Sequence, residues 1–227
     1  DFYMRNLKDL NVSLDLKNAN AEERSKAAKA MAAANKEFRP MTREIILGKK
    51  NFILDGTAAS SGPTLKLKKE LEDLGYDILM VYVFASLEKA LERNDTRFDR
   101  SGGKDRSLAP AIVLRTWNNI TQNYDLYKDE FGSNFVSVVN DKALEKGGSM
   151  KSLEDLVDKY LSPYAPTDTK PKTDKEKARS EKSKAELEKQ INDFVSSDKV
   201  ENIKANSVSK DEAKSRVNSF FAWTQKK

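Results

Sequence analysis

Residues 51–62 read NFILDGTAASSG, and the reading of this stretch decides the fold. Asn51-Phe52-Ile53-Leu54 is a short, mostly apolar run that stops abruptly at Asp55-Gly56-Thr57. A small-residue loop follows, then an amphipathic helix expected over residues 64–74, with Leu65, Leu67, Leu71 and Leu74 toward one side. A short buried strand feeding a polar turn and a helix is the unit of a parallel α/β sheet. Ligands bind such sheets beyond the carboxyl ends of the strands, where Asp55 and Thr57 would stand. The same residue types also cap turns, so spacing alone leaves both readings open.

Outward from this stretch the pattern repeats. Upstream, residues 21–47 form a long helix candidate, with Glu22 and Glu23 in the first turn, where the helix dipole favours them, and AKAMAAA supplying strong helix formers. Pro40 is expected to kink or split it, and Gly48 to end it. Downstream, residues 78–84 (ILMVYVF) are apolar without alternation, which suits a central strand covered on both faces. A helix from about residue 86 leads into a basic stretch, and Pro110 opens another, with Ile112, Val113, Trp117, Ile120 and Tyr124 at helical spacing. Residues 135–139 (FVSVV) read as a third strand, ended by Asn140-Asp141, and residues 152–160 as a closing helix.

These elements make an α/β body over residues 1–165, a parallel sheet with helices on both faces. Residues 166–173 lie in a proline-bearing stretch that reads as a linker. Residues 174–227 read as a basic helical tail, with helices over 174–197 and 209–223. The body carries 26 basic and 25 acidic side chains, and residues 166–227 carry 15 and 11, so most of the net charge of +5 sits in the tail. That placement favours a nucleic-acid or protein partner for the tail, against the alternative of two solvated helices packed on the body or on each other.

Composition removes whole classes of chemistry. The chain has no cysteine and no histidine, which excludes disulfides, thiolate zinc sites, imidazole metal sites and histidine general bases. No metal ligand set is read from it. Catalysis would fall to carboxylates, hydroxyls, lysines and arginines, or to a carboxylate-held divalent ion such as magnesium. No window approaches about 18 consecutive apolar residues, so none reads as a membrane span, and the first residues do not form a signal peptide.

The stretch LERNDTRFDRSGGKDR concentrates Arg93, Arg97, Arg100, Lys104 and Arg106. Arg93 and Arg97, four apart, project from one face of a continuing helix, and Gly102 and Gly103 are expected to make the residues beyond them mobile. Arginines on a hinged segment beside a sheet edge are what phosphoryl transfer calls for, because they clamp phosphate oxygens bidentately. The other reading is an exposed loop neutralised by Asp95, Asp99 and Asp105.

The succession of LDGT after a strand, L-x-x-LGYD, MVYVFASLEKALERN, the arginine-rich segment and FVSVVND resembles the P-loop kinases of the zeta-toxin and polynucleotide-kinase-like group, especially phage-encoded members. The resemblance runs from Asp1 to roughly Tyr160. It implies a five-stranded parallel sheet, ATP or GTP with magnesium, and phosphoryl transfer to a nucleotide, polynucleotide or small hydroxyl acceptor. Carried over by position, it implies that Asp55 and Thr57 face substrate or magnesium-bound water. Arg93, Arg97, Arg100 and Arg106 would serve the phosphates, Asn140 and Asp141 would lie in the base-binding loop, and Asp1 would match the carboxylate that deprotonates the acceptor. It also implies action in the cytoplasm of a host cell.

The sequence departs from that group in one respect: G-x-x-x-x-G-K-[ST] occurs nowhere in it. The nearest approach, around Gly56 and Gly62, has one residue too many between its glycines and Pro63 where the lysine belongs. This leaves two expectations. In one, the phosphate loop and the central strand lie upstream of Asp1, in a segment on the order of 20–35 residues long, filling a lane between strands 51–54 and 78–84. In the other, the chain is a catalytically inactive kinase-derived structural or assembly protein, for example of a phage virion, attached through its C-terminal tail.

Overall fold

The computed structural model describes residues 2–17, 19–141, 189 and 198–224, which divide between two compact units. Asp1, the helix expected over 152–160, the linker at 166–173 and all but Lys189 of the helix expected over 174–197 lie outside the described residues.

The first unit takes in described residues from 1–54 and 90–115. Its helix α1 (Phe2–Asp9) packs on α2 (Ala21–Leu47). Leu7, Val12, Leu14, Leu16, Ala19, Ala27 and Ala30 form its buried cluster, with Tyr3, Met4 and Phe98 against it. Small alanines on α2 allow this close approach. α2 begins with a reciprocal cap: Glu23 N–H donates to Asn20 Oδ1 at 2.9 Å, and Asn20 N–H donates to Glu23 Oε2 at 2.8 Å. Pro40 does not split the helix, which runs unbroken to Leu47. Residues 36–41 are exposed, so solvent satisfies the carbonyl that loses its partner.

The second unit takes in described residues from 55–89, 116–149 and 190–227. α3 (Ser61–Asp73) starts three residues ahead of the sequence expectation, because Pro63 falls in the first turn, where its missing N–H has no intrahelical acceptor anyway. Strand β1 (Met80–Phe84) pairs in parallel with β2 (Phe135–Val139), in register from Met80↔Phe135 to Phe84↔Val139. The connection runs through α4 (Leu87–Arg100), α5 (Pro110–Gln122) and α6 (Tyr124–Phe131). Tyr82, Phe84, Tyr124, Tyr127 and Phe135 form the aromatic cluster beneath the strands, with edge-on ring pairs Tyr82–Tyr124 at 5.0 Å and Tyr124–Phe135 at 5.4 Å. Burial pushes the Tyr82 hydroxyl well above its ordinary pKa, and the group donates to the Ile120 carbonyl at 3.2 Å.

The C-terminal helices belong to this same unit. α7 (Lys199–Ala205) buries Ile203 in the aromatic cluster. Val208 N–H donates to the Ser137 carbonyl at 2.8 Å, bridging β2 on the side away from β1. α8 (Lys210–Thr224) lays Ala213 on Val136 and Val138. The expected helix over 209–223 is therefore present, and it packs on the sheet.

Two expectations are corrected. Residues 51–54 form no strand: Ile53 is 82% exposed, and four residues without a neighbouring strand have no ladder to hold them. β1 is not covered on both faces, since Val81 and Val83 are 41% and 56% exposed while Tyr82 and Phe84 are buried. The apolar run reflected strand propensity instead. The resemblance implied five strands, whereas the described residues form two. The architecture is a helix-rich α/β fold with a small parallel sheet and C-terminal helices.

Candidate functional site

Asp55 and Thr57 lie in the loop before α3, exposed. That loop is tied down just beyond them. Tyr127, fully buried, donates its hydroxyl to the Ala58 carbonyl at 2.6 Å, and Asn123 Nδ2 donates to the Ala59 carbonyl at 3.2 Å. Ala58 takes a left-handed φ of 48°, a conformation a non-glycine residue holds only when its surroundings fix it. Two bonds from α6 and its approach thus present Asp55 and Thr57 on an anchored turn.

Asn140 and Asp141 follow β2. Asn140 N–H continues the ladder to the Phe84 carbonyl at 2.7 Å, and its side-chain oxygen accepts from Lys210 Nζ at 2.9 Å. The Asp141 carboxylate accepts from Ser86 N–H with both oxygens, at 3.0 and 3.2 Å. A carboxylate there also complements the dipole of α4, which begins at the next residue.

The arginines fall in the first unit. Arg93, Arg97 and Arg100 occupy positions i, i+4 and i+7 of α4 and so share one helical face. Beyond Arg100 the chain makes a tight turn, with Gly102 and Gly103 at φ 62° and 75°. Side chains with a Cβ rarely adopt such angles. Ser101 Oγ accepts from Lys104 N–H at 3.1 Å and Asp105 N–H at 2.8 Å. The segment expected to be mobile is therefore a strap held by its own hydrogen bonds. Arg97 Nε donates to Asp105 Oδ2, and the Arg106 guanidinium lies 4.6 Å from the Tyr3 ring centre. Burial alone would raise the Asp105 carboxyl. The hydrogen bonds from Arg97 and Arg106 N–H, with both guanidinium charges, outweigh it and hold the carboxyl below its ordinary range. Tyr3 is raised by burial, against the opposing charge of Arg106.

Sequence reasoning missed the residues that fasten the strap. Ser107, fully buried, donates its hydroxyl to Asp15 and its N–H to the Leu14 carbonyl at 3.0 Å. Asn94 bonds Leu108 twice. One signal was present: Asn94 shares its helical stripe with Leu87, Leu91 and Phe98, and a polar residue on an apolar stripe needs a specific partner. The predicted residues thus sort into two sets, with Arg93, Arg97, Arg100 and Arg106 in one unit and Asp55, Thr57, Asn140 and Asp141 in the other.

Comparison with protein families gives a match. The family model described as Zeta toxin covers residues 15–150, more than half of the 227 residues. No curated protein and no solved structure matches the chain. No described helix is long and apolar enough to cross a membrane.

Proposed function

The chain belongs to the zeta toxin family, and from that premise we propose that it transfers the terminal phosphoryl group of ATP or GTP to a hydroxyl of a nucleotide, polynucleotide or small molecule in a host cytoplasm. Membership in the family carries a kinase-like P-loop fold and a nucleotide-dependent, phosphotransferase-like function. The observation that supports the finer reading is the arginine array: three arginines on one face of α4 and a fourth on a strap tied back to it. Planar guanidinium forks match phosphate oxygens and stabilise the charge that spreads over the transferring group.

The donor set fits the phosphates of a nucleotide. Arg97 engages Asp105 through Nε, and its pair is exposed enough for a phosphate to compete for the guanidinium. Among the described residues no group of three or more carboxylates is placed to hold a metal ion alone. Magnesium ordinarily keeps waters and binds one or two carboxylates together with substrate phosphates, and Asp55 with Thr57 suits that role. Bound there, the ion would neutralise developing charge. The work of this chain's own residues is to bind and orient: the arginines hold the phosphoryl oxygens, and Asn140 and Asp141 border the end of β2.

A second reading, a kinase-derived binding or assembly module with the tail as its attachment, is supported by the basic balance of residues 166–227, 15 basic against 11 acidic side chains. One experiment separates them. The full-length protein is incubated with γ-labelled ATP or GTP, magnesium and a panel of mononucleotides, 5′-hydroxyl oligonucleotides and sugars. Labelled acceptor, lost in an Arg93→Ala/Arg97→Ala variant, supports the phosphotransferase. Neither labelled acceptor nor bound nucleotide overturns it in favour of the binding module.

A further inference from the structure

Asn94 sits on the buried stripe of α4, one turn from Leu91 and Phe98, and is only 9% exposed. A carboxamide in that position is costly unless both its ends are satisfied. One residue satisfies both. Asn94 Nδ2 donates to the Leu108 carbonyl at 2.8 Å, and Leu108 N–H donates to Asn94 Oδ1 at 2.8 Å. The two-point contact imitates the exchange of bonds between facing peptide groups in an antiparallel ladder. It closes residues 95–107 into a loop that carries Arg97, Arg100, Lys104 and Arg106.

Within the loop, Lys17 Nζ donates to the Asp95 carbonyl at 2.9 Å, the Arg106 guanidinium lies on the Tyr3 ring and Phe98 packs on the core cluster, while the other ties are local or exposed. Ser101 organises only the glycine turn, and Arg97 and Asp105 are both largely solvated. Next to Leu108, buried Ser107 is anchored to Leu14 and Asp15. That anchor fixes the far end of the strap to the first unit's core, and Lys17, close by in sequence, holds Asp95 at the α4 end; the direct bonds between the two ends are those of Asn94 with Leu108.

We propose that Asn94 is a positioning residue whose carboxamide sets the register at which the strap closes on α4, holding Arg97 and Arg106 in place for a phosphate-bearing ligand. Aspartate keeps the shape but turns an oxygen toward the Leu108 carbonyl. Leucine keeps the volume but leaves both Leu108 groups without partners. The closure of the strap stands on the hydrogen bonds alone, while its catalytic consequence rests on the phosphotransferase reading.

Trypsin cuts after arginine and lysine, so the strap carries its own reporter sites. Native protein, Asn94→Asp and Asn94→Leu are digested briefly, each at the same interval below its own melting temperature, and the fragments are weighed. Cleavage after Arg97, Arg100, Lys104 and Arg106 should be faster in the variants by about 10-fold or more relative to other sites, as local opening predicts. Strap cleavage no faster than in the native protein overturns the proposal. If neither variant folds, hydrogen exchange of the native protein decides: a Leu108 amide protected like those of α5 supports the closure, and one exchanging at the rate of an open loop overturns it. Where the native protein transfers phosphate, Asn94→Asp should lower kcat by about 10-fold or more with a smaller change in KM, the mark of a transition-state contact out of place. Unchanged kcat overturns the positioning role. A native protein that binds and transfers nothing sinks the phosphotransferase reading, and the digestion still decides whether Asn94 closes the strap.

Discussion

Replacing Arg97 by alanine should separate chemistry from stability. Arg97 and Asp105 form an ion pair whose side chains are 53% and 40% exposed. After solvent screening such a pair contributes about 0.5 kcal/mol. In a chain of this size that corresponds to a fall in Tm of about 1–2 °C. A guanidinium that meets the transferring phosphoryl group, by contrast, is worth about 10³ in rate or more, or about 4 kcal/mol of barrier. The two effects differ roughly eightfold in free energy, so one pair of measurements distinguishes them. Thermal melting of Arg97→Ala should match the native protein to within about 3 °C, while phosphoryl transfer from labelled nucleotide falls by about three orders of magnitude. A Tm loss of about 8 °C or more with a proportionate loss of activity would make Arg97 a structural residue. A rate within about threefold of native would remove it from the reaction.

Three further outcomes test the local physics. The Asp105 carboxyl is held below its ordinary value of 3.8, so the stability it adds is present above that pH and is lost as pH falls through its folded-state value. The Tm difference between native protein and Asp105→Asn should therefore shrink on acidification below about pH 4 and stay level above about pH 5, as followed by thermal melts across that range. Asn20→Ala removes the side-chain acceptor of the Glu23 N–H, leaving the Asn20 N–H bond to Glu23 in place, and should cost about 1 kcal/mol in denaturant unfolding, where no measurable loss would deny the cap its role. Tyr127→Phe deletes the hydroxyl that holds the Ala58 carbonyl and should cost about 1 kcal/mol. It should also speed amide exchange across residues 57–60, and a uniform effect over the chain would refute the anchoring.

The longer helices α2, α3, α4, α5 and α8 were legible because their signals are local and redundant, whereas the short α1, α6 and α7 were not read. α2 announces itself through alanines and acidic residues in its first turn, α5 through Pro110 and the spacing of Ile112, Val113 and Trp117. β1 and β2 were legible as apolar runs with strand propensity. Residues 51–54 were misread because a strand is made by its neighbours, and nothing in four residues states whether a ladder exists beside them. The burial of Ile203 and Ala213 against the aromatic cluster and β2 was illegible for the same reason: contacts between residues far apart in sequence leave no period. At the candidate site the arginines stood out by density, whereas the groups that fix them did not. Ser107 and Asp15 matter through a hydroxyl–carboxylate bond between residues far apart in sequence and Asn94 through two bonds to the Leu108 backbone, and only the placement of Asn94 on an apolar stripe hinted at its partner.

The central claim is that the arginine array of α4 and its strap serves nucleotide phosphates. Calorimetric titration of the full-length protein with ATP and with GTP, each with magnesium, tests it most directly when repeated on an Arg93→Ala/Arg97→Ala/Arg100→Ala variant. The account predicts binding of at least one nucleotide by the native protein, weakened by about 10-fold or more in the variant. Absence of binding by the native protein, or equal affinity in the two, would contradict it.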